Sequence, residues 1–321
     1  MLSRVASNTF WLGRYLVRAE DLARTISIHD HMLMDLTDTD QVPTLYQLIA
    51  VNSNEKLFTD QLGERTEENI LHFLVTSIDN PSSIVSSLAN ARYNLRACRS
   101  ILSRVMYELI NELCLEAADL SGSRVSASQR RLFLRHVEHQ LLAVAGAANG
   151  SMSYNKAFLF MRLGSFLERA DMTSRIIDVR SGYLLNSSDT ARLTPYENSH
   201  WVAILRSLQG FQMYMSEVRR PISGPEVLNF VLRNPEHPKS FRFNVQRIIS
   251  FLEQLPNTDQ LNEKAGILLE KIDTADIRLL AKNHSELHQF IDELQVALAA
   301  VANNISEQYF PAQEQVLEDV Q

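Results

Sequence analysis

The chain has 321 residues, 45% of them hydrophobic, and a formal net charge of −7 at pH 7, enough apolar material for one large core or two coupled ones. The acidic balance argues against nucleic acid and anionic membrane as default partners, and no run of about 18 apolar residues is present to span a bilayer. Met1–Arg4 leads into a polar, amphipathic segment rather than the apolar stretch of a secretory signal, so a cytoplasmic protein is expected.

Helical periodicity dominates from the N-terminus onward. A first helix is predicted over roughly 3–36, with Val5, Leu12, Leu16, Ala19, Ala23, Ile26 and Leu33 on one stripe. Shorter helices follow near 43–52 and 66–78. Asn80-Pro81 then marks the start of a long helix over about 81–115, where Ile84, Leu88, Ala91, Leu95, Cys98, Leu102, Val105 and Leu109 form a coiled-coil-like seam. On that reading Cys98 and Cys114 lie about 24 Å apart along one axis, too far for a disulfide, and reduced thiols are expected. Further helices are predicted near 127–147, 152–186, 197–218, 225–233, 240–255 and 261–272. The last, over about 275–308, carries Ile277, Leu280, His284, Leu287, Ile291, Leu294, Leu298, Val301 and Ile305. No low-complexity linker divides the chain. The expected class is all-α, more than two-thirds helix without a sheet: a bundle of long antiparallel helices.

An internal echo suggests how that bundle is built. Gly13–Ile26 aligns without gaps to Gly164–Ile177, with Gly, Leu, Arg, Ala, Arg and Ile identical at matching positions. A second echo pairs Phe73, Pro81, Ser83 and Ile84 with Phe230, Pro238, Ser240 and Phe241. Two echoes in one order point to two diverged, mutually packed repeats. They divide a single domain over 1–321 into pseudo-repeats of about 1–150 and 151–310, with a C-terminal tail of about 311–321.

The repeated helix keeps charges as well as apolar residues. Arg18, Glu20 and Arg24 flank the stripe in the first copy; Arg169, Asp171 and Arg175 repeat them in the second, with Glu168 added. Glu20 and Arg24, like Asp171 and Arg175, form i, i+4 acid-to-base pairs. Small Ala19 and Ala170 would let a neighbouring helix approach closely. Solvated flanking pairs are common and worth only ~0–1 kcal/mol, but a solvated face has no reason to keep one charge pattern in both copies. A second row, Val85, Ala89, Arg92, Arg96, Arg99, Ser103, Met106 and Ile110, brackets three arginines with apolar residues. Such cations should be partly buried and need acidic partners or an anionic ligand. Arg92, Arg96 and Arg99 are therefore expected to meet Glu20, Glu168 and Asp171 in one buried cluster between the halves. The chain's basic residues fit this: 25 are arginine and 6 lysine, and arginine's planar fork suits carboxylate or phosphate partners. A genome-wide arginine bias would give the same count.

Trp11–Glu20, Ala91–Arg96, Gly164–Arg180 and the Pro238-Lys239-Ser240 region together resemble the bacterial alpha-E family, an all-helical domain of unknown biochemical role named for a Glu-Arg motif. The resemblance covers nearly the whole chain. It departs at Val17 and Tyr93, where the family more typically shows Glu. Family members tend to be encoded beside, or fused to, circularly permuted ATP-grasp proteins, and beside transglutaminase-like proteins. By resemblance, both are expected partners in an ATP-dependent peptide or amide ligation system.

Other constellations are weaker. His284 and His288 stand at i, i+4, but Glu does not follow the first His as a metalloprotease helix requires, and His284 lies on the apolar seam. His136-Val137-Glu138-His139 and His29-Asp30-His31 read as solvated. No metal or cofactor site is expected. No Gly-rich phosphate loop or nucleophile elbow occurs, so a nucleotide would be bound by a partner. Two function classes remain: a non-catalytic binding or scaffold component that holds an anionic peptide or carboxylate, and an enzyme with Glu168 or Asp171 as general base. The first is favoured, because no nucleophile or metal site is legible; a purely structural ion-pair network is a further alternative.

Overall fold

The computed structural model describes residues 3–33, 45–50, 54–186 and 193–310. Among these residues there is no strand, and no helix is long and apolar enough to cross a membrane. The helices of the N-terminal half are α1 (Ser3–Leu33), α2 (45–50), α3 (Glu55–Gln61), α4 (Glu67–Val75), α5 (Ile84–Ala97), α6 (Arg104–Asp119) and α7 (Ala127–Ser151). The C-terminal half follows with α8 (Lys156–Asn186), α9 (Leu193–Ser207), α10 (Phe211–Glu217), α11 (Gly224–Arg233), α12 (Phe241–Leu252), α13 (Asp259–Thr274), α14 (Ile277–Leu280) and α15 (His284–Tyr309). The tail at about 311–321 lies outside the described residues.

Three of the helices expected from periodicity are broken. The helix expected over 81–115 divides into α5 and α6, which fold back on each other: Leu88 lies opposite Cys114, and Arg92 opposite Asn111. Ser103 restarts the chain as N-cap, its hydroxyl accepting from the Met106 amide. Cys98 and Cys114 thus lie on either side of a turn, both buried and unlinked, and burial raises their thiol pKa values to about 11 and about 12. Asn283 caps α15 in the same way and interrupts the helix expected over 275–308. The segment at 197–218 breaks between α9 and α10, at Gln209 (φ 55°) and Gly210. At α6 and α15 the cap side chain recovers an orphan amide, an effect of about 1 kcal/mol, whereas α10, with Gly210 at its N-cap, has no side-chain cap.

The most extensive helix pair is α1 with α8. Gly13 meets Met161 and Ser165, while Gly164 meets Phe10 and Arg14; a Cβ on either glycine would collide with a backbone carbonyl. Only glycine permits this approach. Positions near 10–20 of α1 face positions near 161–169 of α8 in rising order, so the central pair runs parallel. The expected bundle is antiparallel throughout; α1 with α7 and α8 with α15 run antiparallel, but this central pair does not. Ser27 pairs with Glu138 and Asp30 with Arg130 between α1 and α7, and Phe160 packs on Tyr309 while Asp178 meets His288 between α8 and α15.

Two hydrophobic clusters result. Leu12, Leu16, Ala19, Ala23 and Ile26 of α1 anchor the first, with α4–α7. The second gathers Leu163, Leu167, Ala170 and Ile177 of α8 with α9 and α11–α15. The N-terminal turns cross over: Ala6 and Phe10 enter the second cluster, Phe158 and Met161 the first. Each large side chain so buried contributes roughly 1.5–3 kcal/mol, and the exchange ties the two cores together.

Candidate functional site

Glu168 lies where α8 crosses α1, with 1% of its surface exposed. Its two carboxylate oxygens are both occupied: Arg14 Nε donates to Oε2 at 2.6 Å and Arg18 Nε to Oε1 at 2.5 Å. Trp11 and Tyr15 cover the two guanidinium groups at 5.0 and 5.7 Å. Burial pushes the Glu168 carboxyl up, but Arg14 and Arg18 outweigh it and hold its pKa below the ordinary value. The carboxylate is ionised, desolvated and mutually paired, the condition under which a buried charge is tolerated.

One turn further along α1 is a second group. Lys239, which precedes the N-cap Ser240 of α12, reaches Glu20 at 3.3 Å and also pairs with Asp21. Arg24 joins Glu20 at 3.2 Å and Glu138 of α7 at 3.5 Å. The Lys239 carbonyl accepts from Thr173 of α8 at 2.9 Å. Glu20, Asp21, Arg24 and Lys239 are all buried. Burial raises the Glu20 pKa, whereas Lys239, Arg169 and Arg24 together bring it below its ordinary value.

The fold therefore brings Arg18, Glu20, Arg24, Glu168 and Arg169 to one interface between the halves. Asp171 and Arg175 pair with each other at 2.8 Å on a partly exposed part of α8. Arg92, Arg96 and Arg99 do not join. Arg92 donates to Asn111 at 3.2 Å, Arg96 is exposed, and exposed Arg99 lies beyond the end of α5 over Tyr107. The turn at 98–103 removes the continuous helix that would have aligned the three; Arg92 and Arg96, without Arg99, line a surface depression of about 630 Å³ formed by α5, α6 and Ser121 just beyond α6. Arg14, Asp21, Glu138 and Lys239 were not anticipated, because their partners lie 111 to 219 positions away or on another helix. Lys239 did carry a signal, being one of six lysines and sitting in the second echo.

Next to Glu168, Arg169 meets a different environment. Its Nε is buried without a hydrogen-bond partner. It lines a cavity of about 390 Å³ with Arg162 and Arg247, among Phe158, Phe166 and Phe243. Arg162 lies 4.6 Å from the Phe166 ring and Arg247 5.0 Å from Phe243. Burial, then Arg169 and Arg247, lowers the Arg162 pKa to about 10. A smaller chamber of about 40 Å³, touched by Val17 and Glu20, also borders Arg162 and Arg169.

On the other end of α8, Asp178, His288 and Asp292 place ligand atoms within 4.8 Å of one another. Hydrogen bonding to Asp178 raises the His288 pKa. The three groups could hold a metal ion, although His288 and Asp292 are more than half exposed. The His284 side chain lies outside the described residues.

The chain has relatives among mycobacterial proteins. It is 22% identical to uncharacterized proteins of Mycobacterium bovis and of two strains of Mycobacterium tuberculosis, each match covering 98% of this chain and 39% of the relative. The chain thus spans about two-fifths of the length of those relatives. No solved structure matches it. Residues 1–310 match the Alpha-E family, described as a predicted alpha-helical domain with a conserved ER motif, and the chain, with Glu168-Arg169 at its central crossing, belongs to that family.

Proposed function

We propose that this domain is a non-catalytic binding or scaffold component of an ATP-dependent peptide or amide ligation system, with an anionic peptide or carboxylate as its ligand. The observation that carries the non-catalytic part is the occupancy of Glu168. Both oxygens are engaged by arginines and 1% of the residue is exposed, whereas a general base needs a free lone pair and a path for substrate. Asp171, the other acid with the right position, is held by Arg175. Glu168 acts as the clamp that fixes α1 on α8.

Two diverged copies of one unit account for the architecture. Three sets of paired contacts support this reading, each repeating at an offset of 150 to 157. Gly13 on Met161 is matched by Gly164 on Phe10. Ser83, which caps α5 and donates to the Ser77 carbonyl, is matched by Ser240 on α12 and Asn234. The Ser27–Glu138 contact is matched by Asp178–His288.

The circularly permuted ATP-grasp and transglutaminase-like partners follow from the family resemblance. The greater length of the mycobacterial relatives fits a domain used as one module among others. Mixing the purified chain with the ATP-grasp protein of the same genome tests the reading. A saturable complex is expected, with no turnover by this chain alone. Absence of a complex, or activity that Glu168→Gln abolishes while thermal stability stays unchanged, would overturn it.

A further inference from the structure

The cavity beside the clamp has an unusual charge balance. Arg162, Arg169 and Arg247 line it, and no carboxylate does. None of the three makes an ion pair with an acid among the described residues, and Arg169 lies within electrostatic reach of Glu20 without a hydrogen bond to it. Sequence register explains the deficit. Arg18 finds Glu168 across the crossing, and Arg169 occupies the matching place in the second copy. The position that matches Glu168 is Val17, buried and without charge. Arg169 therefore lacks the hydrogen-bonded carboxylate that Arg18 has, and on the side of the cavity of about 390 Å³ it meets no acid.

A buried structural network pairs its cations with acids. A desolvated arginine without an acid costs stability, and Arg162 shows that cost in its lowered pKa. Guanidinium forks bind planar oxyanions through paired N–H donors. The remaining walls are aromatic: Phe158, Phe166 and Phe243 offer apolar faces beside the cations. A volume of about 390 Å³ suits a small ligand with one charged end and one apolar end.

We propose that Arg162, Arg169 and Arg247 form a binding site for a small carboxylate carried on an apolar group, such as the free C-terminal end of a short peptide, whose carboxylate supplies the acid that the cavity lining lacks. The proposal deepens the reading of this domain as a binding module and does not depend on which protein it assembles with. Arg247 is the cation to remove, because it is exposed and outside the clamp.

The test uses the full chain with 3-phenylpropionate, its neutral amide and inorganic phosphate, followed by calorimetry and thermal unfolding. Saturable binding of the carboxylate with a rise in Tm is expected, and none with the amide. Arg247→Ala should weaken binding by about tenfold or more while leaving the Tm of the unliganded protein unchanged or higher. Equal binding of the amide, no binding of the carboxylate, or tighter binding of phosphate would overturn the proposal. So would a fall in unliganded Tm on Arg247→Ala, which marks a structural cation. A chain that joins the ATP-grasp protein but ignores the probe fails this proposal alone; one that binds the probe but no partner fails the scaffold reading alone.

Discussion

Glu168 and Arg169 are adjacent in sequence and meet opposite electrostatic fates. On one side of α8 the carboxylate is sealed between two arginines. On the other side three arginines share a cavity that no acid lines. The first arrangement holds two halves together; the second leaves attraction unspent. Charge compensation, rather than the presence of charge, separates a structural cluster from a receptive one.

Breaking the compensated side should have the largest effect. Glu168→Ala strands Arg14 and Arg18 at the crossing and should cost about 4 kcal/mol, read as a lower midpoint in chemical unfolding. Lys239→Ala leaves Asp21 without its cation while Glu20 keeps Arg24. A loss of about 3 kcal/mol is expected, and a neutral result would show that water reaches the pair. Gly13→Ala adds a Cβ against the Met161 carbonyl and should cost about 2 kcal/mol by forcing the helices apart. Gly146→Ala in α7, where a Cβ meets nothing within 4 Å, should instead stabilise by ~0.5–1 kcal/mol. Equal effects at the two glycines would refute the close crossing. At the small end, Arg96→Ala removes an exposed cation and should change stability by less than about 0.5 kcal/mol. A large loss there would restore the buried row expected from the sequence.

Acid titration sharpens the same contrast. Glu168 and Glu20 have folded pKa values held below the ordinary 4.5. Their stabilisation is fully present above that value and is lost as pH falls through the folded pKa. Acid unfolding of the wild type should therefore begin below about pH 4.5 and be blunted in Glu168→Gln.

Much of this was legible along the chain, and the exceptions have physical causes. Helices and their apolar stripes follow from 3-4 spacing, and Leu12, Leu16, Ala19, Ala23 and Ile26 are all buried. The turn at 98–103 escaped because Leu95, Cys98 and Leu102 remain buried on both sides of it, so the apolar rhythm never falters. Asn283 and Glu286 did offer a capping signal, masked by the seam through Leu280 and Leu287. In the site, the sequence echo between 13–26 and 164–177 pointed to Arg18, Glu20, Arg24, Glu168 and Arg169. Arg14 and Lys239 were missed because a helical wheel reports which face a residue takes, not what crosses it from 154 or 219 positions away. Arg162 and Arg247 were missed for a related reason: their significance lies in the absence of an acid, and only packing reveals an absence.

The most direct test of the clamp is the difference in unfolding free energy between wild type and Glu168→Gln, measured from pH 7 down to pH 3.5. A deficit of about 3 kcal/mol at pH 7 that shrinks as the wild-type carboxyl protonates is expected. A variant as stable as the wild type at pH 7, or a deficit independent of pH, would contradict a buried, ionised Glu168 as the bond between the two halves.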